Sequence, residues 1–92
     1  MRHLRLPVTS DVGLHARPAA VFVNETARFT SAIHVRSVTG DSDWVDAKSV
    51  LSVLTLGVEK DHEIEITVEG EDEDQAAEAL EVLIRSDFAG RL

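Results

Sequence analysis

The sequence predicts an α+β open-faced sandwich, in which helices cover one face of a β-sheet and water covers the other. Two observations carry this prediction. Segments with strand-like alternation place their apolar residues at one parity only, which is typical of a sheet with a single buried face. Stretches with apolar residues at helical spacing lie between them, in the order strand, helix, strand, strand, short helix, strand, helix (βαββαβα).

The first strand and the first helix are predicted in the amino-terminal third. Apolar residues alternate with polar ones over residues 2–8, which predicts a strand, and Pro7 indicates that it lies at a sheet edge or ends early. Apolar residues at helical spacing predict an amphipathic helix of about three turns from Ala16 to about Arg28. Its solvent positions are predicted to be Asn24, Glu25 and Arg28.

A hairpin and a short helix are predicted in the middle of the chain. Alternation followed by turn residues predicts a hairpin over roughly 32 to 46. Ser49 then precedes an apolar stretch that ends at Gly57, which predicts a short helix with a serine cap and a glycine stop. One stripe of a short helix cannot bury all of its apolar residues, so some are expected to be exposed: Val50, Leu51, Val53, Leu54 and Leu56.

The carboxyl-terminal third predicts a strand and a second long helix. Residues 63–68 alternate most clearly, with glutamates on the outer side, so the outer face of this strand is predicted to be acidic. The acidic run Glu69 to Asp74 leads into apolar residues at helical spacing, which predicts a helix over roughly 76–84. We interpret the acidic run as a solvated face, because it lacks the spacing of a calcium loop.

Composition limits the class of protein. The chain has 92 residues, 43% of them hydrophobic, and no cysteine, which predicts one small domain over residues 1–92 without disulfides or thiol catalysis. A formal net charge of −8 argues against nucleic acid or anionic membrane as partners. No apolar run is long enough to span a bilayer, and no signal peptide is evident. We therefore expect a cytoplasmic protein, monomeric or weakly oligomeric.

The segment from Gly13 to Ala20, Gly-Leu-His-Ala-Arg-Pro-Ala-Ala, places a histidine where a helix begins. Proline is tolerated in a first helical turn, so Pro18 indicates a helix start near His15. The unpaired amides and partial positive charge of such a start bind phosphate. A neutral imidazole there can attack phosphorus and hold the group transiently, so we interpret His15 as a phosphorylated nucleophile. The alternative, a structural or merely exposed histidine, does not account for the neighbouring residues.

Arg17 is the candidate anion ligand beside His15. Its planar guanidinium can hold phosphoryl oxygens through two parallel hydrogen bonds, a geometry that lysine lacks. The alternative is an ordinary solvated arginine. Its position two residues after the histidine favours the role in phosphate binding.

Ser49 and the apolar residues that follow it have two interpretations each. As a helix cap, the serine would stabilise the fold by about 1 kcal/mol. Phosphorylation there would place roughly two negative charges beside an apolar surface and block an acidic partner. The surplus apolar residues would form a docking surface if they lie near the His15 loop, although single exposed leucines are common without function.

The remaining histidines and Trp44 do not form a recognisable site. His3, His34 and His62 are scattered without paired ligand spacing, and the parity of the first two directs them away from the core. We therefore expect neither a metal nor a cofactor. Trp44 is interpreted either as a binding aromatic on the hairpin or as a cap on the core.

The segment Gly13 to Ala20, together with Ala47-Lys48-Ser49 and Leu54-Thr55-Leu56-Gly57, resembles the HPr phosphocarrier family of the phosphoenolpyruvate-dependent phosphotransferase system. The similarity runs nearly end to end. It implies a single HPr-like domain with a four-stranded antiparallel sheet and three helices. It also implies that phosphorylated Enzyme I modifies Nδ1 of His15, with phosphoenolpyruvate as the ultimate donor, and that a sugar-specific Enzyme IIA receives the group.

The same resemblance implies a role for further residues. The Arg17 side chain and the backbone amides of Ala16 and Arg17 would hold the phosphoryl group. Ser49 matches a regulatory serine that an HPr kinase/phosphorylase modifies in some bacteria. The protein would then be a phosphoryl relay with a transient phosphohistidine rather than a stand-alone enzyme. The implied partner-docking patch consists of Ala20, Val50, Leu51 and Leu54.

The chain departs from the family pattern near the implied site. Val12 replaces a residue that is often small and polar, and Asn24 and Ala27 stand where basic residues are common. Weaker charge steering toward an acidic partner is therefore predicted. The turn from Thr39 to Trp44 is also longer than usual.

Three alternative functions compete with the phosphoryl relay. A regulatory binding protein controlled by Ser49, in catabolite or nitrogen control, would not need His15, yet the chain retains His15 and Arg17. A donor to a dihydroxyacetone kinase branch would keep the relay and change only the acceptor. A small-ligand sensor would need a glycine-rich ligand loop, which the sequence lacks.

Overall fold

The structure, a computed structural model that describes residues 1–89, is a four-stranded antiparallel sheet with three helices packed on one face. The predicted fold class and the order βαββαβα are confirmed. Within the described residues, no helix is both long enough and apolar enough to cross a bilayer. The strands are β1 (Arg2–Pro7), β2 (Ala32–Ser37), β3 (Val45–Asp46) and β4 (Glu63–Glu69), and the helices are α1 (Ala16–Thr26), α2 (Val50–Leu54) and α3 (Glu73–Arg85).

The sheet has the order β1-β4-β2-β3, with each neighbouring pair antiparallel. β1 therefore lies at an edge, as Pro7 predicts. Ile66 of β4 is flanked by Leu4 of β1 and Val35 of β2, so one parity of three strands forms a continuous apolar surface. The helices bury this surface. The largest fully buried side chains in the resulting core include Leu6, Leu14, Phe22, Ile33, Ile64, Leu80, Ile84 and Phe88.

The outer face of the sheet is a set of ion pairs rather than a purely acidic surface. Arg5 Nη2 lies 2.9 Å from Glu63 Oε1, and Arg36 Nε donates to Glu65 Oε1 at 2.7 Å. His3 Nε2 also contacts the Glu65 carboxylate. The hydrogen bond from Arg36 is the main reason why the pKa of Glu65 is lowered. Basic side chains on β1 and β2 thus form ion pairs with Glu63 and Glu65 of β4.

Trp44 lies on this outer face. Its side chain is exposed, and the guanidinium carbon of Arg36 lies 5.7 Å from the ring centroid, in cation–π contact. Of the two interpretations of Trp44, the cap on the core is therefore wrong.

The prediction for the first helix is wrong at Glu25. This residue is only 4% exposed, although we assigned it to the solvent face. It lies three residues after the buried Phe22 and so shares its side of the helix. The Glu25 carboxylate there has a partner of opposite charge, Arg28, with 3.0 Å from Nη1 to Oε2.

Two helices also end earlier in the chain than predicted. α1 ends at Thr26 rather than near Arg28, and the buried Thr26 hydroxyl donates to Ala47 O at 3.0 Å, which ties the helix end to the chain after β3. α2 ends at Leu54 rather than next to Gly57. The bond at Thr26 joins residues that are 21 positions apart, so no local pattern predicts it.

The acidic run before α3 is structural as well as solvated. The Asp72 carboxylate accepts hydrogen bonds from the backbone N–H groups of Thr30 and Ser31, at 2.9 and 3.0 Å, and from the Ser31 hydroxyl. These bonds lower the pKa of Asp72 to about 2, and the bond from the Ser31 hydroxyl contributes most. The carboxylate thereby ties the start of α3 to the segment between α1 and β2.

Asp72→Asn is expected to weaken the hydrogen bonds to Thr30 and Ser31 and to make the free energy of unfolding less dependent on pH in the acid range. The folded-state pKa of Asp72 is about 2 and lies below its ordinary value of 3.8. Its contribution is therefore fully present above about pH 4 and is lost as the pH falls toward 2. Urea unfolding between pH 2 and 7 measures the free energy of unfolding. For the variant it should be lower at pH 7 and should fall less steeply as the pH is lowered from 4 to 2. The control is Glu71→Gln at an exposed neighbour; an equally steep fall in wild type and Asp72→Asn would contradict the prediction.

Candidate functional site

The loop between β1 and α1 is held against the loop between α2 and β4. Leu14 N donates to Val58 O at 3.0 Å, which joins the two backbones directly. A salt bridge of 3.2 Å between Lys60 Nζ and Asp11 Oδ1 joins them a second time. Within the first loop, the buried Ser10 hydroxyl donates to Gly13 O at 2.9 Å. These contacts therefore hold the backbone that leads into His15 in one conformation.

Gly13 is the point of closest approach between these loops. Its φ is +65°, a left-handed conformation that glycine adopts without steric cost. A Cβ at this position would lie 2.0 Å from Val58 O and 2.7 Å from Glu59 Cα. The absence of a side chain at residue 13 is thus what allows the loops to touch.

His15 occupies the N-cap position of α1. Its backbone is extended, with φ −126° and ψ 166°, and its ring makes no capping hydrogen bond. Within residues 1–89 no acceptor occupies the amides of Ala16 and Arg17, and the helix dipole favours an anion there. The side chain is 34% exposed, and the nearest carboxylate approach joins His15 Nε2 to Glu59 Oε1 at 3.9 Å.

The first turn of α1 has an unusual backbone. Ala16 is the first helical residue and has φ +53°, which costs an alanine about 1 kcal/mol or more. Pro18 is the third helical residue and is buried, where its missing N–H removes one of the amides without an intrahelical partner. The predicted helix start next to His15 is confirmed, whereas the strain at Ala16 has no signal in the sequence.

The Arg17 side chain is exposed and makes no hydrogen bond or ion pair within residues 1–89. Arg5 and Arg36, by contrast, form ion pairs with carboxylates of β4. Arg17 is thus a free guanidinium two residues from a half-exposed imidazole.

Ser49 is the N-cap of α2, as predicted. Its Oγ accepts a hydrogen bond from Ser52 N at 3.3 Å, and its backbone is extended. The helix that it caps has only five residues, and this bond satisfies one of its unpaired amino-terminal amides.

Ser49→Ala is expected to lower the free energy of unfolding by about 1 kcal/mol, because Ser52 N loses its acceptor. Ser49→Asp keeps an acceptor at the N-cap and is expected to remain within about 0.5 kcal/mol of wild type. Chemical denaturation of the three proteins measures both differences. Equal stability of Ser49→Ala and wild type would show that the cap is not needed.

An apolar patch is exposed on α1 and α2, which pack against each other. We define the patch as Ala20, Val50, Leu51 and Leu54, and all four side chains are exposed, Leu51 most strongly at 75%. Val53 and Leu56 are buried, so the short helix does divide its surplus apolar residues between core and solvent. Val12, in the loop that precedes His15, is also exposed.

The family model described as the PTS HPr component phosphorylation site matches residues 4–86. The chain belongs to the HPr family. Relatives of similar length in this family are named phosphocarrier protein HPr.

The relatives of this HPr-family chain include short and long proteins. The phosphocarrier protein HPr of Lysinibacillus sphaericus is 39% identical over 84 residues, which covers 91% of this chain and 92% of that protein. The multiphosphoryl transfer protein of Haemophilus influenzae is 44% identical over 73 residues, or 79% of this chain. The chain spans only 15–20% of the length of the multiphosphoryl transfer proteins that it matches.

Solved HPr structures share the fold over the whole chain. An HPr crystal structure from Thermoanaerobacter tengcongensis has a TM-score of 0.91 at 38% identity and covers 100% of both chains. A structure described as an HPr dimer from the same organism has a TM-score of 0.74 at 38% identity, covering 97% of this chain and 99% of that chain.

Two contacts of the HPr site were missed by the sequence analysis. They are the approach of Glu59 to His15 and the salt bridge between Asp11 and Lys60, and both join two loops that lie far apart along the chain. No spacing or periodicity links these positions, so the sequence contains no local signal for them.

Proposed function

We propose that the protein accepts a phosphoryl group on Nδ1 of His15 from phosphorylated Enzyme I and passes it to an Enzyme IIA. The observation that carries the proposal is the half-exposed His15 ring at an uncapped helix start, with the unengaged Arg17 nearby. Family membership supports the phosphocarrier role.

The geometry supports both halves of the relay. The imidazole lone pair attacks phosphorus, while the amides of Ala16 and Arg17 and the Arg17 guanidinium donate hydrogen bonds to the phosphoryl oxygens and stabilise their negative charge. Because His15 stays 34% exposed, an acceptor can approach the same phosphorus atom afterwards. The histidine returns to its starting state, so the protein acts as a relay between two partners.

The proposal is tested by incubating the protein with phosphoenolpyruvate and Enzyme I and measuring intact mass. One added phosphoryl group is expected, located by peptide fragmentation on His15, lost in acid and retained in alkali. Addition of an Enzyme IIA should remove it. No mass gain with a matched Enzyme I, or phosphate on another residue, would contradict the proposal.

The apolar patch is the proposed docking surface for both partners. Leu51→Asp is expected to weaken binding to Enzyme I about tenfold or more, because it places a charge at the most exposed leucine of the patch. Titration calorimetry or the concentration dependence of phosphorylation measures the change.

Val82→Asp is the matched control for Leu51→Asp. Val82 is 61% exposed but lies on α3, outside the patch. Its variant should bind as wild type does. Equal losses in the two variants would show that the patch is not the docking surface.

Ser49 is proposed as the regulatory position of this surface. It immediately precedes Val50 of the patch and is half-buried. A phosphate on Ser49 would keep an acceptor at the N-cap and add negative charge at the edge of the patch. An acidic partner surface would then be repelled, while α2 stays folded.

A further inference from the structure

We propose that Glu59 is a positioning residue for His15: its carboxylate keeps the ring proton on Nε2, directs attack to Nδ1 and stabilises the phosphorylated ring. The inference deepens the proposed function and rests on it. Its starting observation is that the carboxylate nearest to His15 approaches the ring at Nε2, at 3.9 Å from Glu59 Oε1. Nδ1 is then the nitrogen left for phosphorus.

The fold places Glu59 next to the ring through its backbone. Gly13 packs against the Val58–Glu59 peptide, and Leu14 N donates to Val58 O at 3.0 Å. On the other side, Glu59 N donates to His62 Nδ1 at 3.1 Å, and His62 N donates to Glu59 O at 3.1 Å. Both ends of the residue are thus held while its side chain stays 66% exposed and able to rotate.

The neighbouring lysine does not neutralise this carboxylate. Lys60 is directed to Asp11, 3.2 Å from Nζ to Oδ1, and the hydrogen bond with Asp11 is the main reason why the pKa of Lys60 is raised. Among the described residues, the ion-pair contact of Glu59 is with His15. The charge of Glu59 therefore acts chiefly on the imidazole.

The transfer step explains why this charge favours the phosphorylated state. The neutral ring has a proton on Nε2 and a lone pair on Nδ1. The lone pair forms the N–P bond, the bond from phosphorus to the donor breaks, and the donor atom keeps that electron pair. The ring retains its Nε2 proton and becomes cationic. In the onward transfer the N–P electrons return to Nδ1, and the ring is neutral again.

Glu59 consequently interacts more strongly with the phosphorylated ring than with the free one, which shifts the transfer equilibrium. At 3.9 Å the carboxylate acts on the free ring through its charge rather than through a hydrogen bond, and this charge favours the proton on Nε2. Rotation of the exposed carboxylate shortens the contact when the ring becomes cationic. Because an exposed ion pair contributes little, the expected effect is several-fold rather than a complete loss.

The test compares Glu59→Gln, which removes the charge and keeps the shape, with Asp61→Asn in the same loop. Asp61 has φ +68°, which asparagine also tolerates, so both variants lose one carboxylate without new strain. The phosphorylated fraction is measured with Enzyme I at fixed ratios of phosphoenolpyruvate to pyruvate. Glu59→Gln is expected to lower the equilibrium constant for phosphorylation about twofold to fivefold, and Asp61→Asn to leave it unchanged.

Two further readouts separate positioning from a structural role. Nitrogen-15 spectra of the unphosphorylated protein should show a smaller Nε2-protonated fraction of His15 in Glu59→Gln, at an unchanged melting temperature. A wild-type equilibrium constant in Glu59→Gln, or equal shifts in the two variants, would overturn the inference. Failure of the wild-type protein to be phosphorylated on His15 would instead overturn the proposed function.

Discussion

His15→Ala is expected to accept no phosphoryl group from Enzyme I and phosphoenolpyruvate. The substitution removes the nucleophilic nitrogen, and neither the helix amides nor Arg17 can form a bond to phosphorus in its place. Intact mass should therefore show no gain at times when the wild type is fully modified. The fold should persist, because the His15 ring makes no capping hydrogen bond and is not part of the core.

The other histidines supply the controls for this result. His3→Gln and His34→Gln change exposed rings on the outer face of the sheet and should be phosphorylated as wild type is. Thermal unfolding of all three variants verifies that they are folded. A mass gain that persists in His15→Ala would place the accepting nitrogen elsewhere.

Gly13→Ala is expected to lower the free energy of unfolding by about 2–4 kcal/mol and to slow phosphorylation at least about tenfold. An alanine at φ +65° is strained, and its Cβ would lie 2.0 Å from Val58 O. The two loops must separate to remove the overlap, which lengthens the Leu14–Val58 hydrogen bond and displaces His15. Chemical denaturation and the initial rate of mass gain measure the two effects.

Gly57→Ala separates backbone strain from the steric overlap. Gly57 has φ +63°, nearly the value at Gly13, but a Cβ there meets nothing within 4 Å. The free energy of unfolding of this variant should therefore fall by only about 1–2 kcal/mol, the conformational cost of an alanine at positive φ. The rate of phosphorylation should change little. If the two alanine variants were equally stable and equally fast, contact between the loops would not position His15.

The fold was predictable because one parity of each long strand is apolar and the other is polar. Ile64, Ile66 and Val68 of β4 show this most clearly, and all three are fully buried. The same reasoning misassigned Glu25, since periodicity treats any charged residue as solvent-facing. The ion pair with Arg28 gives this carboxylate a charged partner on the buried side.

The candidate site was predictable only where its residues are close in sequence. His15 and Arg17 share one helix start with Pro18, so local rules of helix capping find them. Glu59 reaches His15 through contacts between two loops, and Asp72 reaches Ser31 between distant segments. Such pairings depend on how the complete chain packs, and no local pattern reports them.

The position of Trp44 decides what intrinsic fluorescence can report. It is the single tryptophan of the chain, and it lies over Arg36 on the sheet face away from the helices. Its emission therefore follows the integrity of the β2–β3 hairpin. Loss of the sheet would change the signal, so intrinsic fluorescence reports unfolding of the sheet in each variant.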